Sequence, residues 1–227
     1  MIASDPGNYV LKDFRGSSHR RLAAWVRELP AGTRLLELGS GSGQVARLAA
    51  RDDLSWVGLE GCLEGLAPLA REFAGGAIVD LDLLSRMPRG FGAALAADVL
   101  EHLVDPDRTL RQLAAALPPG APLLVSVPNV ANVSVRLALL FGRFEYSDRG
   151  ILDRTHRIFF TRRSFERALS AAGFAVERRA VSTIPLRLAL PGWPDALLSV
   201  GEAVLAGLTR LMPKLFGYQL LALARRV

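Results

Sequence analysis

The residues best suited to chemistry in this chain are a glycine-rich turn and several acids and histidines that follow predicted strands. The stretch from Glu37 to Gly43 reads Glu-Leu-Gly-Ser-Gly-Ser-Gly, between an apolar run and a helical pattern. The N–H groups of such a turn, with the helix N-terminus behind it, suit a ligand that carries a carboxylate or phosphate. Alternating glycines let the ligand approach closely, because no Cβ is in the way. The turn therefore predicts a ligand-binding loop.

Two cofactor classes fit this turn. The frame Gly41-x-Gly43-x-x-Ala46 satisfies a relaxed dinucleotide fingerprint, which would indicate a nicotinamide-dependent oxidoreductase. The predicted strand ends before Gly39, however, and the frame that begins at Gly39 places Gln44 where Gly or Ala is needed. An acid two residues before the first glycine, here Glu37, is typical of class I S-adenosylmethionine-dependent methyltransferases. The segment resembles the glycine loop of that family.

Further acids follow the next two predicted strands. Glu60 ends the second strand, where a carboxylate could accept hydrogen bonds from both ribose hydroxyls in either cofactor class. Asp80 ends the third strand, with Asp82 as the second choice if the register differs by two. The methyltransferase resemblance implies that Asp80 binds the adenine amino group, while the N–H of Leu81 meets the ring.

The segment Asp98-Val99-Leu100-Glu101-His102 is a more specific motif. It resembles the D-x-L-E-H sequence that follows strand four in many small-molecule methyltransferases, and it does not belong to nicotinamide enzymes. The resemblance implies that Asp98 lies beside the methionine part of the cofactor and that Glu101 and His102 line the substrate side. The predicted cofactor-binding residues are Glu37, Gly39, Ser40, Gly41, Gly43, Gln44, Glu60, Gly61, Asp80, Leu81, Asp98 and Val99.

The substrate side is predicted from the end of the fifth strand and from residues 150–161. These segments resemble a bacterial subgroup of small-molecule methyltransferases, some of them in polysaccharide and natural-product pathways, so we expect a hydroxyl of a glycan precursor or secondary metabolite as acceptor. Histidine is the usual base near neutral pH. His156 is the first choice, because Asp153 could orient it if the segment turns, and His102 is the second. The predicted substrate-binding residues are Glu101, Asn129 and Arg154.

Composition limits the other classes of function. The 227 residues carry a formal charge of +6, but Lys12 and Lys214 are the only lysines, which is not the pattern of a nucleic-acid surface. Arginines between 143 and 163 could bind an anionic substrate or form a solvated face. The single cysteine, Cys62, excludes an intrachain disulfide and a multi-cysteine metal site, and we expect no metal. No signal or membrane-spanning pattern occurs, so a cytoplasmic enzyme acting on a small molecule is expected.

Alternating strand and helix patterns predict a doubly wound, seven-stranded, mostly parallel sheet with an antiparallel edge hairpin, in one methyltransferase domain over residues 1–227. Residues 1–30 form a helical lead-in, with a helix over 17–29. The predicted strands are 34–38, 56–60, a short one ending near 79–80, 91–97, 123–127, 174–182 and 218–224. The other predicted helices cover 42–51, a segment ending near 73, 106–117, 133–141 and 162–172.

An unusually apolar helical insertion, residues 185–216, separates the last two predicted strands. A helix with so wide an apolar surface must be covered. It could pack on the domain, form a homodimer, cover a hydrophobic substrate or lie at a membrane surface beside a lipid-linked substrate. The sequence also leaves open a cofactor-binding protein without catalysis, since its acceptor-side residues are the least defined.

Overall fold

The computed structural model describes residue 14, residues 16–61 and residues 73–227. Its strands are β1 (Arg34–Leu38), β2 (Ser55–Glu60), β3 (Gly75–Ile78), β4 (Ala93–Ala97), β5 (Pro122–Pro128), β6 (Phe174–Val181) and β7 (Gln219–Arg226). They form one seven-stranded sheet in the order β3-β2-β1-β4-β5-β7-β6. β1 to β5 are parallel, and β7 is antiparallel to both β5 and β6. The predicted fold class, including the edge hairpin, is confirmed. The single-domain boundary stays a prediction.

The helices in the described part are α1 (Ser18–Val26), α2 (Gln44–Ala49), α3 (Pro106–Ala116), α4 (Val133–Leu140), α5 (Arg162–Ala171), α6 (Leu186–Ala189), α7 (Asp195–Leu211) and α8 (Pro213–Phe216). A short 3₁₀ turn covers Leu100–His102. The predicted helix between β2 and β3 falls mostly on residues 62–72, which lie outside the described residues. The other predicted helices are all present, with shifted ends.

The central strands β1, β4 and β5 are buried on both faces, as in other doubly wound parallel sheets. One core cluster joins Leu36 and Leu38 of β1 to Leu110 of α3 and Phe165 of α5. The other joins residues of α1 and α2 to the opposite face, with Leu35 of β1 among them. Because β1 contributes side chains to both clusters, the strand is held from both faces. The glycine turn that follows it is therefore anchored at its start.

Local chemistry explains where several helices begin and end. Thr161 caps α5 in a capping box, in which its hydroxyl accepts from the N–H of Ser164 and the Ser164 hydroxyl accepts from the N–H of Thr161. α2 is shorter than the predicted 42–51, because Gly43 and Ala50 have left-handed backbone at its two ends, with φ of 72° and 49°. Both conformations interrupt a right-handed helix.

The insertion between β6 and β7 contains α6, α7 and α8, and its longest helix leaves most of its apolar surface uncovered. In α7 only Leu198 and Thr209 are buried. On its polar side, Arg187 of α6 pairs with Asp195 and Glu202 in surface ion pairs. Apolar side chains point outward and are more than half exposed: Leu197, Val200, Val204 and Leu211. What covers this face stays open. None of the described helices combines the length and apolar composition needed to span a membrane.

Candidate active site

The candidate site lies at the carboxyl ends of β1 and β4, where the strand order reverses. β2 and β3 extend the sheet to one side of β1, while β4 and β5 extend it to the other. Loops leaving adjacent strands in opposite directions open a crevice, which is where open α/β sheets bind ligands. The glycine turn and the Asp98 motif, which were predicted separately, therefore meet at one place.

The glycine turn requires glycine at its alternate positions. Gly39, Gly41 and Gly43 have φ of 59°, 50° and 72°, in the left-handed region. A Cβ on Gly39 would lie 2.6 Å from Cγ2 of Val99, so the loop after β1 could not pack beside the loop after β4. Glycine is thus favoured at Gly39 for two reasons: the left-handed backbone conformation and the close approach of the Val99 side chain.

Glu60 holds the glycine turn against the end of β2. One carboxylate oxygen accepts a hydrogen bond from the N–H of Gly41 at 2.7 Å, and the other accepts from the N–H of Gly61 at 2.8 Å. Backbone N–H groups and a carboxylate form strong, charge-assisted bonds. Glu60, the acid predicted to bind ribose, therefore also stabilises the conformation of the glycine turn.

Glu37 is buried in β1 directly before the turn. It is 2% exposed, and its Oε2 has no hydrogen-bond partner among the described residues, which is also true of the buried hydroxyl of Ser40. Burial and, secondarily, the charge of Glu60 raise the pKa of Glu37 well above its ordinary range. Buried polar atoms that lack partners beside an open crevice fit a ligand that brings its own donors, such as hydroxyl and ammonium groups.

We expect Glu37→Gln to raise the thermal stability of the ligand-free protein relative to wild type, increasingly so between pH 5 and pH 8. The folded-state pKa of Glu37 lies above its unfolded value, so the folded protein binds the extra proton and loses stability as pH rises. The neutral amide removes that penalty. Melting temperatures at several pH values measure the effect, with the exposed Glu145→Gln as control. A difference that does not change with pH contradicts the prediction.

Asp98 occupies the tip of β4 in an unusual backbone conformation, with φ of 56°. Its carboxylate is held by side chains from two other strands. The Ser126 hydroxyl of β5 donates to Oδ1 at 2.7 Å, and the side-chain amide of Gln219 in β7 donates to Oδ2. The Ser182 hydroxyl in turn donates to Oε1 of Gln219 at 3.2 Å. Both carboxylate oxygens of this buried acid therefore have a hydrogen-bond donor, as buried polar groups require.

Ser126 and Gln219 were not predicted as site residues. Their sequence signal is a polar side chain within an apolar strand pattern, since Ser126 interrupts Leu-Leu-Val-Ser-Val and Gln219 precedes Leu-Leu-Ala-Leu-Ala. Both are buried, and buried polar side chains are normally hydrogen-bonded. The pattern indicates a buried partner, but only the fold identifies that partner as Asp98.

The two acids after β3 have different surroundings. Asp82 is engaged in hydrogen bonds within the protein. Its Oδ1 accepts from the N–H of Val104, and its backbone carbonyl accepts from the side chain of Arg108. Asp80 is exposed beyond the end of β3, where its Oδ1 accepts only the local N–H of Asp82 among the bonds described. Asp80 thus remains the first choice for the adenine contact, with Leu81 directly after it. The role itself stays a prediction.

His102 and His156 come together beside the motif, with ring centroids 4.8 Å apart. Nδ1 of His102 lies 3.1 Å from the Thr155 hydroxyl, which itself donates to Oδ1 of Asp153 at 2.6 Å. The hydroxyl proton is thereby used, so Nδ1 of His102 is the donor and its Nε2 is the basic nitrogen. Burial and the neighbouring His156 lower the pKa of His102, which favours the neutral ring. Asp153 therefore acts on His102 through Thr155.

The tautomer of His156 is set by the backbone. Its Nδ1 lies 3.0 Å from the carbonyl oxygen of Ile151, which can only accept, so Nδ1 carries the proton and Nε2 is basic. The predicted orientation of His156 by the Asp153 side chain stays untested. Phe159 packs at the edge of the His156 ring, with centroids 6.3 Å apart, and Phe144 and Tyr146 extend this aromatic wall. A molecule beside His156 would therefore meet aromatic side chains.

Glu101 completes this group. It is 1% exposed, and its carbonyl accepts from the N–H groups of Arg157 and Ile158, which fastens the 151–160 segment to the turn after β4. One ligand atom each from Glu101, His102 and His156 lies within 4.8 Å of the others. A carboxylate and two imidazoles in this arrangement could hold a divalent cation. The sequence predicted no metal, and this part of the chain offers ligands for one.

The remaining predicted substrate residues are placed elsewhere or are already engaged. Asn129 is 1% exposed, and its amide donates to the carbonyls of Lys214 and Gly217, which ties β5 to the end of the insertion. Arg154 is exposed and pairs with Asp148 at 2.8 Å. Substrate contacts by these two residues stay a prediction.

Comparison with known proteins identifies relatives of this architecture. A family model described as a methyltransferase domain matches residues 13–178. A ubiquinone biosynthesis O-methyltransferase from Azorhizobium caulinodans is 30% identical over 158 residues, which cover 66% of this chain and 61% of that protein. One from Xanthomonas axonopodis is 30% identical over 135 residues, covering 56% of this chain and 55% of its own length. The chain thus matches little more than half the length of these curated relatives.

Solved structures with the same fold are more distant in sequence. A 1,6-didemethyltoxoflavin N1-methyltransferase from Burkholderia thailandensis, with bound 1,6-didemethyltoxoflavin and S-adenosylhomocysteine, superimposes with a TM-score of 0.62 at 18% identity, over 97% of this chain and 82% of that one. An S-adenosylmethionine-dependent methyltransferase from Mesorhizobium loti gives a TM-score of 0.59 at 20% identity, over 93% and 99%. These likenesses confirm the sheet topology predicted from the sequence.

Proposed function

The chain belongs to the methyltransferase domain family, and we propose that it transfers a methyl group from S-adenosylmethionine to a hydroxyl of a small molecule. The observation that carries the proposal is that the glycine turn at the end of β1 packs against Val99 after β4, in the same motif as His102, whose ring lies beside that of His156. The family match decides against the nicotinamide-dependent oxidoreductase. The D-x-L-E-H subgroup and the class of acceptor, a glycan precursor or secondary metabolite, are parts of the proposal.

The cofactor-binding residues lie at three strand ends, and each end contacts a different part of the ligand. Glu60 serves the ribose hydroxyls, Asp80 and the N–H of Leu81 serve the adenine, and Asp98 serves the methionine ammonium. The glycine turn and its following residue, Gln44, pass behind the ligand. The buried Oε2 of Glu37 and hydroxyl of Ser40 fit this ligand, because each lacks a partner among the described residues.

S-adenosylmethionine supplies a methyl group that is already activated on a sulfonium, so the protein's task is to position the acceptor and remove its proton. Alignment of the two reacting groups can supply roughly 7–11 kcal/mol. Nε2 of His156 accepts the acceptor's hydroxyl proton, and Nδ1 stays bonded to the carbonyl of Ile151. The neighbouring His102 is held neutral and adds no competing charge.

The proposal is tested first at the level of the cofactor. We expect S-adenosylhomocysteine to raise the melting temperature and to bind in calorimetry, whereas NAD and NADP do neither. Transfer of a labelled methyl group to a panel of hydroxylated glycan precursors and aromatic metabolites then tests catalysis. Binding without transfer to any acceptor would favour a cofactor-binding protein without catalysis. Binding of NAD alone would overturn the proposal.

A lipid-linked or membrane-proximal acceptor is the second candidate, and the exposed apolar side chains of α7 favour it. We expect the protein to float with anionic liposomes and expect Leu197→Glu with Val204→Glu to abolish flotation, because charge on this face opposes insertion. Leu83→Glu, at a residue 79% exposed between β3 and β4, is the matched control. Absence of wild-type flotation would remove this candidate and leave the methyl transfer proposal intact.

A further inference from the structure

A cleft of about 930 Å³ lies outside the proposed active site, between α1, the end of β6 and α7. Its walls are strongly basic, whereas part of its floor is apolar, with Val181, Ile184 and Ala203 among the lining residues. Glu202 is the one carboxylate among the described residues that line it. The arginines that line it are Arg21, Arg162, Arg179, Arg187 and Arg210.

The cleft arginines divide into paired and unpaired groups. Arg187 pairs with Asp195 and Glu202, and Arg179 pairs with Glu166 at 2.9 Å. By contrast, no carboxylate of the described chain lies within ion-pair distance of the remaining three, which are Arg21, Arg162 and Arg210. The one lining acid is already shared with Arg187, so the cleft holds an excess of positive charge.

Arg21 and Arg210 face the cleft from different elements, α1 and α7, and they are close enough to repel each other. Partial removal from water and, secondarily, the charge of Arg210 lower the pKa of Arg21. No acid of the residues that the structure describes lies between these two guanidinium groups, so nothing there offsets their repulsion. An anion that bridges them would relieve the repulsion and could form bidentate bonds with each.

The cleft is also connected to the proposed cofactor site. Ser182 follows Val181, a lining residue, and its hydroxyl bonds to Gln219, which holds the carboxylate of Asp98. A chain of hydrogen bonds across β6, β7 and β4 therefore joins the edge of the cleft to Asp98.

We propose that this arginine cleft binds the phosphate or pyrophosphate group of a small molecule, with Arg21 and Arg210 as its principal contacts. A multiply charged anion matches several converging arginines better than a single carboxylate does. The apolar floor suits the organic part of such a ligand. The inference does not depend on methyl transfer, because binding can be measured without turnover.

Calorimetric titration with inorganic pyrophosphate tests the assignment. We expect wild type to bind and the double variant Arg21→Gln with Arg210→Gln to lose about tenfold or more in affinity, since two charge-assisted contacts are removed. Arg163→Gln, on α5 beside Arg162 but outside the cleft lining, should bind as wild type does. Unchanged binding by the double variant, or none by wild type, overturns the proposal.

Two further measurements separate a ligand site from a structural role. The double variant should melt no lower than wild type without ligand, because it removes a repulsion; a marked loss of stability would mean that these arginines support the fold instead. A titration with uridine diphosphate gives the second measurement. If it binds more tightly than pyrophosphate, the cleft recognises a phosphate group that belongs to a larger ligand. Equal affinities would identify a site for the free anion.

Discussion

Replacing His156 with alanine is expected to lower turnover about 10²–10⁴-fold, the usual contribution of a general base. Binding of S-adenosylhomocysteine should change by less than about twofold, because the cofactor is held at the strand ends. The variant should also lose the acidic limb of the pH–rate profile, in which the protonated base limits the rate. Steady-state kinetics with the identified acceptor, together with calorimetry, measure both effects.

His156 could instead bind a divalent cation together with Glu101 and His102, and this role predicts a different result. In that case chelation by EDTA would inactivate the wild type, and added Mg²⁺, Mn²⁺ or Zn²⁺ would restore it. Activity that is unaffected by EDTA, combined with the altered pH profile, supports the base. Near-normal turnover of His156→Ala would remove this residue from catalysis altogether.

Gly39→Ala is expected to weaken binding of S-adenosylhomocysteine by about tenfold or more, because left-handed backbone with a side chain costs roughly 1–2 kcal/mol and the new methyl group would also meet Val99. The two contributions can be separated. Val99→Ala in the same chain removes the Cγ2 atom that lies 2.6 Å from the added Cβ, so it should recover part of the affinity.

Gly32 offers a matched control for that experiment. Its φ of 75° is also left-handed, but nothing lies within 4 Å of an added Cβ. Gly32→Ala should therefore reduce stability through the backbone without reducing cofactor affinity. Equal losses of affinity in Gly32→Ala and Gly39→Ala would show that general destabilisation, and not the geometry of the crevice, explains the effect.

The parallel part of the fold was predictable because its signals are local. Buried strands such as β1 are apolar runs, and turn or cap residues such as Gly43 and Thr161 bound the helices that follow. The orientation of α7 was not predictable in this way. Hydrophobic periodicity implies that an apolar face is buried, but in α7 only Leu198 and Thr209 are buried, and Arg187 of α6 pairs with Asp195 and Glu202 at the surface. That contact depends on the placement of α6.

The candidate site was predictable where chemistry follows a strand end, and not where it depends on contacts across the chain. Glu60 was predicted from its position at the end of the second strand and Asp98 from the motif that it begins, and the structure places both at strand ends. The pairing of His102 with His156, however, joins residues 54 positions apart. The link from Asp153 to His102 runs through Thr155, a hydroxyl that no spacing rule identifies.

The amide of Gln219 on the Asp98 carboxylate has a consequence for biogenesis. β4 and the glycine turn emerge from the ribosome long before β7, which is inserted between β5 and β6. A nascent chain that has folded its central strands still lacks one of the two side-chain donors on this acid. The full set of side-chain donors on Asp98 is thus complete only after β7 has been synthesised and inserted into the sheet.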